Sequence, residues 1–127
     1  MVQVEISQLA AECNSWRDTL RGYREALAND KSKLQDAARN PLSKDQLQDV
    51  EHLQNQFHIQ LINIHDLKHA IKNHQRNMDM ELNVNKGQLR EETLAIHENL
   101  FEQYNQQEGM LLELRGEFNC FLDSLRS

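Results

Sequence analysis

Along the first third of the chain, apolar residues recur at steps of three and four. The series is Ile6, Leu9, Cys13, Trp16, Leu20, Tyr23, Leu27, Asp30, Leu34 and Ala37. At 3.6 residues per turn such positions fall on one stripe of a helix. The spacing therefore predicts a helix over about 6–38 with a single polar break at Asp30. A second series, Leu47, Val50, Gln54, Phe57, Leu61, Ile64, Lys68, Ile71, Gln75, Met78 and Leu82, is broadened by Leu53 and Leu67 and predicts a helix over about 43–84. A third, Leu94, His97, Phe101, Tyr104, Glu108, Leu111, Arg115, Phe118, Leu122 and Leu125, with Leu100, Leu114 and Phe121 alongside, predicts a helix over about 88–126. No segment alternates apolar and polar residues at period two, and valine is scarce, so sheet is not expected.

The breaks between these series have local causes. In residues 40–47, NPLSKDQL, Asn40 precedes proline and is pushed out of helical geometry. Ser43 stands where it can cap the next helix, with Gln46 three residues on to complete a capping box, and Leu42 and Leu47 to staple it. The third series is out of phase with the second, which places a turn near residues 83–88 with Gly87 as its left-handed residue. A break near residues 73–79 is the other position the pattern allows. Together these elements predict one all-α domain over residues 1–127, a long antiparallel three-helix bundle running up-down-up with coiled-coil-like packing. Helices this long seldom bury their stripes fully in threes, so self-association is expected.

Composition narrows the function classes. Lys and Arg number 14 against 20 Asp and Glu, for a net charge of −6. The excess sits in the last third, where Arg90, Arg115 and Arg126 face eight acidic residues. No basic stripe elsewhere compensates, so nucleic acid is not an expected partner. No apolar run approaches the ~20 residues of a membrane span, and the opening residues lack the pattern of a signal peptide. The expectation is a soluble, cytoplasmic protein that does not bind membranes. Cys13 and Cys120 fall at opposite ends of an up-down-up bundle, too far apart for a disulfide. Cys13 is expected to be a small core residue.

The one stretch resembling chemistry is FHIQLINIHDLKHAIKNH, residues 57–74. Projected at about 100° per residue, His65 and His69 fall within about 20° of His58, while His52 and His74 point elsewhere. His65 and His69, one turn apart, could share a metal ion, but two ligands do not complete a site. Ile59 and Ile62 lie far from the predicted seam. Together with His58, His65 and His69 they form a candidate interface edged by histidines. There is no phosphate loop, nucleophile elbow or adjacent Cys–His pair, so no catalytic residue, no enzyme activity, no cofactor and no metal site is assigned. The expected function is that of a non-enzymatic scaffold or adaptor. Its expected partner is a second copy in a homodimer, or another helical protein. A metal-binding bundle using His65 and His69, and a helical chaperone or secretion partner, are the alternatives.

Overall fold

The computed structural model describes residues 2–126; Met1 and Ser127, the ends of the expected domain, lie outside it. Three helices follow in order: α1, Val2–Ala37; α2, Lys44–Val84; and α3, Glu91–Arg126. All three pairs of helices pack on one another, and among the described residues there is no strand. The chain is an all-α, up-down-up three-helix bundle. At ~1.5 Å rise per residue the helices are roughly 54–62 Å long.

The turns follow the local chemistry. Ser43 caps α2: its Oγ accepts from the Gln46 N–H at 3.1 Å, and Gln46 Oε1 accepts from the Ser43 N–H at 2.8 Å. After α2 the chain reverses through Lys86 (φ 55°) and Gly87 (φ 85°), and the Gly87 N–H donates to the Leu82 carbonyl at 2.9 Å. Only glycine takes such a φ without steric cost, so Gly87 is the natural pivot. Glu81 of α2 spans this turn. Its carboxylate accepts from the Arg90 N–H and from Thr93 Oγ1 (2.5 Å), tying the start of α3 to the end of α2.

The buried stripe of α1 is the one the sequence predicts: Cys13, Trp16, Leu20, Leu27, Asp30 and Leu34. The stripes of α2 and α3 are not. The buried positions of α2 are Val50, Leu53, Phe57, Gln60, Ile64, Leu67, Ile71, His74 and Met78. Those of α3 are Thr93, His97, Leu100, Gln107, Leu111, Leu114, Phe118 and Phe121. The α2 set is a clean three-and-four series, the α3 set is one if the half-buried Tyr104 is included, and both are rotated from the predicted seams. Leu53 and Leu67 lie in the seam rather than beside it, while Gln54 is exposed and Leu61, Lys68 and Gln75 are only partly buried. The rotation costs two polar residues on α2 their water, and each gains a partner on α3. Gln107 Nε2 donates to Gln60 Oε1 at 2.7 Å, and His74 meets His97. Among the described residues, no buried side-chain nitrogen or oxygen lacks a hydrogen bond.

Toward the α1 C-terminus, Phe57 packs edge-on against Phe118 with ring centroids 5.4 Å apart. Truncating a buried ring such as Phe57 to alanine costs about 3–5 kcal/mol. Asp30, buried on α1, accepts from Arg115 Nε of α3 at 2.9 Å.

Candidate metal centre

In an up-down-up bundle the start of α1, the end of α2 and the start of α3 share one end. Each contributes one chemically versatile side chain to the core there: Cys13, His74 and His97. Their exposures are 0%, 4% and 4%. His74 Nε2 lies 3.0 Å from His97 Nδ1, and Cys13 Sγ lies 3.9 Å from the same nitrogen. All three donor atoms fall within 4.8 Å of one another.

The surroundings fix how these groups present themselves. His97 Nε2 lies 3.2 Å from Glu12 Oε2, so its N–H donates to that carboxylate. The Nδ1 lone pair then points at His74 and Cys13, because a neutral imidazole carries one N–H. Trp16 covers the His97 ring at 4.9 Å between centroids. Phe101 and Tyr104 stack on Trp16, each with ring centroids 5.8 Å away. Burial, and then the neighbouring His97 imidazole, hold the His74 imidazole below its ordinary pKa of 6.5. The shift favours the neutral form, in which imidazole binds metals. The Cys13 thiol is pushed up to about 11, first by burial and next by the Glu12 charge.

Without a cation, two donors, the His74 Nε2–H and the Cys13 thiol, converge on a single lone pair. A metal reverses the demand, since it accepts one lone pair from each group. Tetrahedral zinc with Zn–N about 2.0–2.1 Å and Zn–S about 2.3 Å places its ligand atoms roughly 3.4–3.6 Å apart. The separations of 3.0 and 3.9 Å bracket that range. The donor set, one thiolate and two imidazoles, suits zinc and its chemical neighbours rather than magnesium or calcium. Glu12 supplies the outer carboxylate that typically orients a metal-binding histidine.

The residues singled out in the sequence lie elsewhere. His58, His65 and His69 are exposed on α2, as are Ile59 (38%) and Ile62 (47%). His65 and His69 do approach each other, edge to face at 5.4 Å. They share a concavity with Arg17, Arg24, Lys68 and Lys72. Four permanent cations around the pair repel a metal ion, so that pair is the weaker metal candidate. Cys120 is exposed and Cys13 buried, and neither forms a disulfide.

The periodicity did place Cys13 and His97 on seams, but on separate helices with nothing to join them. The predicted α2 seam runs through Gln75 and so leaves out His74, its neighbour. The purer series through Leu53, Leu67 and Ile71 would have put it inside. Compared with known proteins, the chain matches no family model, no curated protein and no solved structure.

Proposed function

We propose that this protein is a metal-stabilised helical bundle that holds one zinc-class divalent cation through Cys13, His74 and His97. The observation that carries the reading is that each helix supplies one ligand atom to a single buried point. A cation there bonds all three helices at the end where the turn and Glu81 also join α2 to α3. The reading departs from the absence of a cofactor expected from the sequence. It assigns the ion a structural role and no reaction.

Binding removes the Cys13 proton and shifts the His74 N–H to its outer nitrogen, so each ion taken up releases about one proton to solvent. The test is elemental analysis of untagged protein equilibrated with Zn²⁺ and freed of excess ion. Wild type is expected to retain one equivalent, and Cys13→Ser and His97→Ala to lose it while keeping their helical circular dichroism. Full retention by a folded His97→Ala protein would rule the centre out.

A second reading, assembly with a second copy, is supported by a different observation. Among the described residues every exposed large hydrophobic lies on α2 or α3. Ile62 and Met80, five turns apart at about 3.6 residues each, share one line of α2. Ala70, Met80, Val84, Ile96 and Met110 line the outer α2–α3 groove, interspersed mainly with amides. On a chain of net charge −6, a face poor in charge is where two copies can meet without strong repulsion. Light scattering of wild type and of Ile62→Glu/Met80→Glu tests it: a dimer that the double variant dissociates supports the reading, and a wild-type monomer at high concentration contradicts it.

A further inference from the structure

The α1–α2 face carries a feature that the metal centre does not use. Arg17 and Arg24 on α1 and His65, Lys68, His69 and Lys72 on α2 line a concavity of about 280 Å³. Every lining residue is basic, in a chain whose net charge is −6. Among the described residues, none of Arg17, Arg24, Lys68 and Lys72 takes part in an ion pair. The ion pairs of permanent charges among the described residues are Arg21–Asp18, Arg39–Asp36, Arg90–Glu81 and Arg115–Asp30.

Arg17 is nonetheless held in place. Its Nη1 donates to Gln75 Oε1 at 3.0 Å, and Gln75 Nε2 donates to Asn14 Oδ1 at 3.0 Å. A neutral amide orients the guanidinium and leaves its charge uncompensated. Lys68 senses this field: burial first, and then Arg24, Arg21 and Arg17, hold its ammonium below the usual lysine range, with Glu25 opposing. Uncompensated like charges brought together on two packed helices are a cost to the fold. An anion that bridges them converts the cost into binding energy.

The spacing sets the size of that anion. Arg17 and Arg24 are two turns apart, roughly 10 Å along α1, and Lys68 and Lys72 are one turn apart, roughly 6 Å along α2. One phosphate cannot reach across this span, whereas two or three linked phosphates can. Arginine contributes bidentate geometry and lysine point charge, the usual division in phosphate sites.

We propose that Arg17, Arg24, Lys68 and Lys72, with His65 and His69 at the rim, form a binding site for a small anion bearing two or more phosphate groups. Whether the anion is free in solution or displayed as a lipid headgroup, the chemistry recognised is the same.

The test is isothermal titration calorimetry of the full chain with inorganic tripolyphosphate and with orthophosphate, beside co-sedimentation with vesicles containing a bisphosphorylated inositol lipid. Tripolyphosphate is expected to bind at one equivalent, well above orthophosphate. The exposed substitutions Arg24→Gln and Lys72→Gln should each weaken it about tenfold, as loss of a charge-assisted hydrogen bond does, and Lys72→Arg should restore it. Vesicle binding displaced by tripolyphosphate assigns the same site to a headgroup, and its absence assigns the site to a soluble anion. Saturable binding that is lacking, or that is unchanged in Arg24→Gln and Lys72→Gln, overturns the proposal. So does preference for a single-stranded oligonucleotide over tripolyphosphate at equal phosphate.

Discussion

His74 Nε2 and His97 Nδ1 face each other at 3.0 Å across the α2–α3 seam, and the far nitrogen of His97 rests on Glu12. The carboxylate sets which His97 nitrogen carries the proton, and so which one is free to bind an ion. Glu12→Gln keeps the size of the side chain but weakens it as an acceptor. Metal affinity measured by chelator competition should fall by about 10–100-fold, the usual effect of losing an outer carboxylate. The melting temperature of the metal-free protein should change little, because Glu12 is partly exposed.

Asp30 and Arg115 form the other polar link between α1 and α3. The Asp30 side chain is 5% exposed and that of Arg115 40%. Arg115→Leu leaves a buried carboxylate without its cation. The cost should be about 2–3 kcal/mol in urea unfolding, less than the ~3–5 of a fully enclosed pair because water still reaches one partner. Asp30→Leu/Arg115→Leu should recover most of that loss, since both charges are then removed together.

Gln60 and Gln107 are both buried, and the Gln107 amide donates to Gln60 Oε1 at 2.7 Å. Replacing only Gln60 with leucine strands the Gln107 amide, at a cost of about 1–3 kcal/mol. Replacing both should bring stability back to wild type or above. Denaturant unfolding of the two singles and the double gives the coupling directly. A double variant as unstable as the worse single would show that the amides contribute through something other than each other.

Glu81 makes the start of α3 pH-sensitive. Its hydrogen bonds from Thr93 and from the Arg90 N–H hold its carboxyl below the ordinary value of 4.5. A folded-state pKa below the unfolded one means that the stabilisation is present above the unfolded value and lost as pH falls through the folded one. Wild type should therefore melt above Glu81→Gln at neutral pH, and the gap should close as the pH is taken well below 4.5. A gap independent of pH would show that charge at Glu81 has no part in holding the turn.

The three helices, the capping box at Ser43 and the pivot at Gly87 were legible because each rests on local chemistry: periodicity, a side chain reaching back to its own helix end, a positive φ. The α1 stripe was legible for the same reason. The buried α2 stripe lies one position from the predicted seam because Leu61 and the long stems of Lys68 and Gln75 also lie near it, and period alone cannot choose between adjacent stripes. His74 belongs to the buried stripe and not to the predicted seam. Polar side chains inside a seam identify themselves only through partners, and Gln60–Gln107 and His74–His97 are pairings between helices that no single segment displays. The basic concavity was hidden in the same way, half on α1 and half on α2, each half diluted by acids along its own helix.

The centre at Cys13, His74 and His97 is tested most directly by X-ray absorption at the zinc edge on protein loaded with one equivalent of Zn²⁺. The expected first shell is one sulfur at about 2.3 Å with nitrogen or oxygen neighbours at about 2.0–2.1 Å, and the sulfur should vanish in Cys13→Ser. A shell of nitrogen and oxygen alone in wild type, or a sulfur that persists in Cys13→Ser, would contradict the assignment.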